Sequence, residues 1–320
     1  MKISGFSMAK NATKLYYPIR QVVESILPIV DEFVIAIGDC DEDDRTREEV
    51  EAIGSDKIKI IDTVWDIEQY PRGMEHAHQT DIAKNACSGD WCFYLQADEV
   101  VHEKYHDTIV QACKQYKDDK NVDGFLFQYL HFYGDFDHYN DSHTCYPKEI
   151  RIVRNDSEIH SYISAQSFRR IPNFNGKNYR QVEGTEKLNV VEIPAYIYHY
   201  GWVRPPYFME VKSKQLYTNH HGTQEADSRF SDRSKLFDYG NLSKLPKFKG
   251  THPRVMQPLV DDFDWADLLH YEKDYVPSRP PQKHEKLKYR ILTWIEQNLL
   301  GGKHLFGYSN WNVVDRFKKK

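Results

Sequence analysis

The sequence lacks a basic excess, a dense cysteine pattern and long apolar runs, and each absence excludes a class of protein. The formal net charge is -5, which argues against a general nucleic-acid-binding protein. The five cysteines are odd in number and show no CxxC spacing, so we expect reduced thiols in a cytoplasmic protein instead of disulfides or a cysteine zinc site. No run of about 18 apolar residues occurs and the first residues are polar, so we expect neither a transmembrane helix nor a signal peptide.

What the sequence does contain is the composition of a globular protein. Hydrophobic residues make up 40% and charged residues 28% of the 320 positions, which is enough for one large domain with an extension. The 22 tyrosines suit stacking against bases and sugars, although a single tyrosine more often completes a hydrophobic core.

Strand and helix patterns alternate along the first half of the chain. Short apolar runs indicate strands that are covered on both faces, and segments with helical spacing lie between them. The predicted strands are residues 2–6, 33–37, 57–61 and 91–95, and the predicted helices are residues 17–30, 45–53 and 78–87. This alternation predicts an α/β fold with a doubly wound, mostly parallel central sheet.

The pattern changes in the second half. The adjacent prolines Pro205 and Pro206 interrupt it, so we predict a sheet domain over residues 1–205 and a mainly helical C-terminal extension, packed on that domain, over residues 206–320. The remaining predicted strands are residues 124–132, 149–153 and 190–199, and the remaining predicted helices are residues 207–220 and 282–300.

The sharpest chemical pattern follows the predicted strand at residues 91–95. Asp98 and Glu99 place adjacent carboxylates at the carboxyl end of this strand, where open α/β sheets bind their ligands. Carboxylate oxygens suit Mg²⁺ or Mn²⁺, which in turn bind phosphates. Alternatively, Asp98 and Glu99 begin a helix, whose positive end favours acidic residues. The spacing alone leaves both interpretations open.

The order of these segments resembles the family 2 glycosyltransferases, which have the GT-A fold. The resemblance is carried by KISGF, FVIAIGDCDEDDRT and HQTDIAKNACSGDWCFYLQADE, covers the first half of the chain and fades towards residue 205. It implies a nucleoside-diphosphate sugar as donor, Mn²⁺ or Mg²⁺ as cofactor, and a glycan or lipid-linked hydroxyl as acceptor. It also implies an inverting transfer of the kind used in polysaccharide biosynthesis, in the cytoplasm or peripherally at the inner face of the membrane.

The resemblance also implies roles for individual residues. Asp98 matches the last Asp of the family's D-x-D metal motif, with Glu99 and His199 as further metal ligands, and the metal makes Asp98 catalytic as well. Gln96 stands at the first Asp of that motif, where an amide brings no charge but still accepts hydrogen bonds. Asp39 matches the Asp that contacts the nucleoside. The residues expected to bind the nucleotide are Phe6, Ser7, Met8, Asn11, Asp39, Gln79, Gln96, Ala97 and Arg204.

His199 and Arg204 follow the last predicted strand of the sheet. A neutral imidazole is a good metal ligand, and a guanidinium binds a diphosphate through paired hydrogen bonds. A histidine between two tyrosines is just as often structural, so both interpretations stay open for His199. As catalytic base we choose Glu149, which begins a strand after the loop on the acceptor side, while Glu183 and Glu186 stay open as alternatives.

Two other functions compete with glycosyl transfer. A nucleotidyltransferase would need a glycine-rich loop with Lys or Arg after the first strand, and SGFSMAKN, with one glycine and one lysine, disfavours it. A catalytically inactive protein that binds sugar nucleotides or glycans is compatible with Gln96 in the metal motif. The joint presence of Asp39, Asp98, Glu99 and His199 argues against this second alternative.

The predicted helix at residues 282–300 carries an apolar stripe on one face and basic residues towards one end. Such a helix can pack on the sheet domain or on a second subunit, or it can lie on an anionic membrane. We favour packing, because the polar face also holds acidic and amide side chains, and we expect residues 305–314 to cover the same region. The stripe consists of Leu287, Ile291, Leu292, Ile295 and Leu299.

Overall fold

The computed structural model describes residues 1–307 and 309–318 and contains two β-sheets, the larger covered by helices on both faces. The strands are β1 (Ile3–Ala9), β2 (Glu32–Ile37), β3 (Ile58–Asp62), β4 (Trp91–Tyr94), β5 (Glu99–Val101), β6 (Gly124–Tyr133), β7 (Lys148–Arg154), β8 (Ile159–Tyr162), β9 (Ser167–Arg170), β10 (Leu188–Trp202) and β11 (Trp311–Arg316). The helices are α1 (Ile19–Ile26), α2 (Thr46–Glu51), α3 (Met74–Asn85), α4 (His106–Gln115), α5 (Pro206–His221), α6 (Thr223–Phe230), α7 (Gln257–Asp261) and α8 (Leu287–Leu299).

The strand order of the larger sheet is β3-β2-β1-β4-β7-β6-β10-β11, with β5 paired to β10. Neighbouring strands are parallel, except that β7 runs antiparallel to β4 and β6 and β5 runs antiparallel to β10. The strand order therefore confirms the predicted α/β fold with a doubly wound, mostly parallel central sheet. The smaller sheet is the β8–β9 hairpin.

Burial on both faces explains why the strand sequences do not alternate. Every residue of β2 is buried, because Phe33 and Ile35 pack on one side of the sheet with α1, and Val34 packs on the other side with α3. Val22, Val23 and Ile26 supply the apolar face of α1. A strand covered by helices on both faces needs apolar side chains at successive positions.

The sequence leaves open whether Asp98 and Glu99 end a strand or begin a helix, and the structure excludes the helix. Asp98 and Glu99 do not begin a helix, because Glu99 starts the short strand β5 and the next α-helix starts at His106. The pairing of β5 with β10 sets Glu99 opposite His199, and the Tyr200 N–H donates to the Asp98 carbonyl at 2.8 Å. Residues that are a hundred positions apart in the sequence therefore meet at one edge of the sheet.

Residues 206–318 form α5 to α8 and also the edge strand β11, which pairs with β10. The predicted extension is therefore not purely helical. The apolar stripe of α8 is partly buried, since Leu287, Ile291 and Leu299 are 70%, 52% and 65% exposed, whereas Leu292 and Ile295 are half-buried. Of residues 305–314, Tyr308 lies outside the described part of the chain, and residues 311–314 belong to β11. Within the described residues, no helix combines the length and apolar character needed to cross a bilayer.

Candidate functional site

A cavity of about 930 Å³ opens at the carboxyl ends of β1 and β4 and is roofed by α5 and α6. We call it the sheet-edge cavity. Its floor comes from the loop after β1, the loop after β4 and the end of β10. Its lining includes Met8, Lys10, Asn11, Tyr17, Trp65, Gln96, Ala97, Asp98, His199, Met209, Lys212 and Asp227.

Asp98 is a buried, charged group at the floor of this cavity. Its Oδ2 accepts from the Lys212 ammonium at 3.2 Å, and its Oδ1 lies 3.6 Å from His199 Nε2. Burial alone would raise the pKa of Asp98, but Lys212, His199 and Arg204 outweigh it and lower that pKa to about 2. The carboxylate is therefore ionised at neutral pH.

A pair of histidines fixes which nitrogen of His199 faces Asp98. His131 Nε2 lies 2.7 Å from the Tyr146 carbonyl, which can only accept, so this nitrogen carries the proton. His131 Nδ1 is then an acceptor for His199 Nδ1–H, 3.0 Å away. His199 Nε2 is left with a free lone pair directed towards Asp98. Burial lowers the pKa of His199 to about 4 and that of His131 to about 3, so both rings are neutral at pH 7.

Gly201 keeps the space between these two groups open. A Cβ atom on Gly201 would lie 2.6 Å from His199 Nε2 and 2.8 Å from Asp98 Oδ2, closer than atoms can pack. A carboxylate oxygen and an imidazole lone pair therefore face each other across a space that a glycine leaves free. Two acceptors in this arrangement fit a divalent cation, whose other positions diphosphate oxygens and water can fill.

Lys212 is the competing cation at this point. Its ammonium contacts Asp98 and also donates to the Gly201 carbonyl at 2.6 Å. Burial and the nearby Arg204 lower the pKa of Lys212 to about 7, against the opposing effect of Asp98.

Glu99 does not take part in this arrangement, in contrast to the role expected from the sequence. Its oxygens accept from Arg151 Nε and Nη2, both at 2.7 Å, inside a fully buried ion pair. The Tyr129 hydroxyl and the Gln96 N–H add bonds of 2.8 and 3.1 Å. Glu99 thus holds the floor of the cavity together and has no oxygen left to offer a metal.

The expected nucleotide-binding residues divide into two groups. Met8, Asn11, Gln96 and Ala97 line the sheet-edge cavity, and Gln96 Nε2 also donates to the Ala165 carbonyl at 2.7 Å. Asp39 lies beside the cavity, where it accepts from Lys10 Nζ at 2.8 Å and from the Trp65 N–H at 2.9 Å. Burial opposes ionisation of Asp39, but these two donors lower its pKa.

The other group points into the protein interior. Phe6 packs against the rings of Tyr94 and Phe168, because its side chain faces the core beneath α3. Ser7 Oγ donates to the Leu95 carbonyl at 2.7 Å, and Gln79 is fully buried on the inner face of α3. These three side chains do not line the cavity as expected.

Arg204 is fully buried below the cavity. Its guanidinium lies 4.6 Å from the centre of the Tyr17 ring and donates to the Leu15 carbonyl. Within the described residues, its Nε and Nη2 have no hydrogen-bond partner. Arg204 therefore supplies positive potential near Asp98, without the direct access to a diphosphate expected from the sequence.

Glu149, the base expected from the sequence, is buried in β7 away from the cavity wall. One of its oxygens accepts from Gln166 Nε2 at 3.1 Å, and burial raises the pKa of Glu149 to about 7. Glu183 and Glu186 also lie outside the cavity lining. Among the described residues, the carboxylates that line the cavity are Asp98 and Asp227, and Asp227 is paired with Lys214 at 2.6 Å.

Three residues that shape the surroundings of Asp98 and His199 are not identified by the sequence analysis. Lys212 follows Met209 by three positions on the inner face of α5, so a lysine in the apolar register of a helix was the available indication. His131 shares a strand face with Tyr129 in an otherwise apolar run. Gly201 gave no separate indication, because its importance depends on the approach of His199 and Asp98.

The comparison with solved structures finds chains that are similar to this one at low sequence identity. TarS 1-349 from S. aureus is 15% identical, with 72% of each chain covered and a TM-score of 0.36. The mannosyltransferase PcManGT from Pyrobaculum calidifontis, solved with GDP-Man and Mn²⁺, is 18% identical over 39% of this chain and 34% of that one, with a TM-score of 0.30. Glucosyl-3-phosphoglycerate synthase from Mycobacterium tuberculosis, solved with Mn²⁺ and UDP, is 18% identical over 41% of this chain and 43% of that one, with a TM-score of 0.27. No protein-family model and no curated protein sequence matches the chain.

Proposed function

We propose that the chain is a glycosyltransferase that moves a sugar from a nucleoside-diphosphate sugar to a hydroxyl acceptor. The observation that carries this proposal is the pair of acceptors, Asp98 and the neutral His199, which face each other across the space that Gly201 leaves free at the ligand-binding edge of the sheet. The cavity of about 930 Å³ above them has room for a nucleotide and a sugar.

In this proposal Asp98 and His199 hold Mn²⁺ or Mg²⁺. When bound, the cation offsets the negative charge that develops on the diphosphate leaving group. Asp39, through Lys10 and the Trp65 N–H, fixes the end of the cavity at which the nucleoside binds. Met8, Asn11 and Ala97 line the same cavity.

The transfer is an inverting displacement in this proposal. The acceptor oxygen forms a bond to the anomeric carbon while the bond from that carbon to the diphosphate breaks, and the acceptor proton passes to a carboxylate. Asp227 is the candidate for this base, because it and Asp98 are the carboxylates that line the cavity among the described residues, whereas Glu149 does not line it. A glycan or lipid-linked hydroxyl is the proposed acceptor class.

A specific observation favours a second function, a binding protein without metal-dependent turnover. The Lys212 ammonium occupies one side of the Asp98 carboxylate, where it can neutralise a diphosphate in place of a metal. Under this alternative the cavity binds a sugar nucleotide without Mn²⁺ and does not transfer the sugar.

Thermal denaturation with a panel of nucleoside-diphosphate sugars, with and without Mn²⁺, tests both functions. Donor binding stabilises the folded state, so we expect one class of sugar nucleotide to raise the melting temperature only when Mn²⁺ is present. That donor should then be hydrolysed slowly, and hydrolysis should be lost in Asp98→Ala and strongly reduced in Asp227→Asn. Stabilisation without Mn²⁺ and without hydrolysis would favour the binding protein, and no stabilisation by any sugar nucleotide would contradict both.

A further inference from the structure

Helix α8 buries a glutamate where a surface helix normally buries apolar side chains. Among the residues of α8, all of which are described, Glu296 is the buried one, with 0% of its surface exposed. Leu287, Ile291 and Trp294 are 70%, 52% and 58% exposed on the same helix. Burial of a carboxylate is costly unless the group is paired or binds a metal. The attachment of α8 to the rest of the chain therefore depends on what Glu296 contacts.

The two oxygens of Glu296 have different surroundings. Oε1 accepts from His143 Nδ1 at 2.6 Å and from the Leu305 N–H at 2.8 Å. Oε2 is buried and has no hydrogen-bond partner in the described part of the chain. His304 Nε2 lies 3.8 Å from Oε2, beyond hydrogen-bond distance. One oxygen is thus satisfied, and the other faces an imidazole nitrogen without bonding to it.

These three residues have the composition and spacing of a metal site. One ligand atom from each of His143, Glu296 and His304 can be chosen so that all three lie within 4.8 Å of one another. Tetrahedral zinc with bonds of about 2.1 Å separates its ligand atoms by about 3.4 Å, which falls between the 2.6 and 3.8 Å contacts made by Glu296. Two imidazoles and one carboxylate suit Zn²⁺ better than Mg²⁺, which prefers an all-oxygen shell.

We propose that His143, Glu296 and His304 form a zinc-binding site, separate from the sheet-edge cavity, with water as the fourth ligand. Two glycines end α8 with a tight turn, since Gly301 and Gly302 have φ angles of 58° and 81°. This turn brings the chain back, so that His304 lies beside Glu296. The zinc joins the loop that carries His143, helix α8 and the chain that follows α8.

The site has a structural role that extends towards the cavity. His143 lies in the loop between β6 and β7, whose Asp141 carbonyl accepts from Gln297 Nε2 of α8 at 2.8 Å. The same loop carries Tyr146, whose carbonyl holds His131 in place behind His199. Zinc at His143 therefore anchors both α8 and the loop that orients the histidine pair.

Zinc retention by the full chain tests this proposal. The Asp98→Ala variant serves as the background, because it breaks the Asp98–His199 pair of the cavity. The protein is exposed to zinc and passed over a desalting column. We expect this background protein to retain about one equivalent of zinc per chain. A second change, Glu296→Gln or His304→Ala, should abolish the retention. His221→Ala, at an exposed histidine, is the control and should leave the retention unchanged. Cobalt in place of zinc should give the intense visible absorption of a tetrahedral site.

A simple ion pair between His143 and Glu296 is the competing explanation, and it gives the opposite results. No retained zinc in the background variant, or retention unaffected by both Glu296→Gln and His304→Ala, would overturn the proposal. If Glu296→Gln fails to fold, the cobalt spectrum of the background protein and the zinc content of His304→Ala decide the question. A weak octahedral cobalt spectrum would also overturn it.

Discussion

At the scale of single residues, Gly201 controls the space between the two acceptors at the cavity floor. In Gly201→Ala the new methyl group meets His199 Nε2 and Asp98 Oδ2 at 2.6 and 2.8 Å. We expect the affinity for nucleoside diphosphate in the presence of Mn²⁺ to fall by about 100-fold, with a smaller effect on folding. Calorimetric titration measures the affinity, and the melting temperature reports the fold.

Gly176→Ala is the matched control for this change. Gly176 has a φ of 74° and no atom near its Cβ position, so alanine there strains the backbone without entering the cavity. Nucleotide affinity should stay unchanged in this control. An unchanged affinity in Gly201→Ala as well would mean that no cation binds between Asp98 and His199.

His131 is a positioning residue, since it acts on the cavity through His199. His131→Leu removes the acceptor for His199 Nδ1–H, so the ring can turn and its Nε2 lone pair no longer faces Asp98. We expect Mn²⁺-dependent nucleotide affinity to fall by about 10- to 100-fold, as for other second partners of metal-binding histidines. His131→Asn keeps an acceptor oxygen near the same place and should restore part of the loss. Equal losses in both variants would assign His131 to packing alone.

At the scale of elements, α5 is both the roof of the cavity and the carrier of a cation. Lys212→Met removes the ammonium beside Asp98 while keeping the length of the side chain. Because like charges repel strongly at low dielectric, we expect Mn²⁺ to bind several-fold more tightly in the absence of nucleotide. Lys214→Met, on the same helix but paired with Asp227, is the control and should leave this affinity unchanged. Weaker Mn²⁺ binding in Lys212→Met would contradict the idea that Lys212 and Mn²⁺ compete for Asp98.

Many of the strands and helices could be predicted from the local pattern of apolar residues. The apolar runs of β2 and β4 predict buried strands because helices cover both of their faces. The strand β5 could not be predicted, since an acidic pair after a strand is equally compatible with the start of a helix. Its pairing with β10, which brings Asp98 and His199 together, depends on contacts between distant parts of the chain that local periodicity does not encode.

The site could be predicted only as far as residue type and position decide it. Asp98 and His199 have side chains suited to a metal and lie at strand ends, so both were expected. Glu99 has the same chemistry, but Arg151 binds both of its oxygens, and only the folded arrangement reveals this partner. Glu149 likewise begins a strand as expected, but that strand places it inside the sheet and away from the cavity.

At the scale of the whole molecule, Glu149 links stability to pH. Burial raises its pKa in the folded state to about 7 from an ordinary value of 4.5. A group with a raised folded pKa stabilises the protein below its unfolded pKa and loses this contribution as pH rises through the folded pKa. The wild type should therefore lose stability between about pH 4.5 and 7, and Glu149→Gln should lose less.

Melting temperatures measured in parallel for wild type and Glu149→Gln across this pH window provide the test. The two curves should separate as pH rises, with the variant relatively more stable at pH 8 than at pH 4. Curves that stay parallel would mean that folding does not raise the pKa of Glu149. Sugar transfer by the variant is a separate measurement, and its complete loss would return the role of base to Glu149.

The ion pair between Lys212 and Asp98 affects how a metal ion and a sugar nucleotide could enter the cavity. Under the proposed function, a bare divalent ion that enters the cavity would meet the Lys212 ammonium already paired with the Asp98 carboxylate. An ion that arrives with the donor brings diphosphate oxygens, which offer Lys212 a new acceptor as it leaves Asp98. A metal and a sugar nucleotide that enter as one complex avoid this competition, so the proposed function predicts a rate of sugar transfer that follows the concentration of that complex and is little affected by free metal alone.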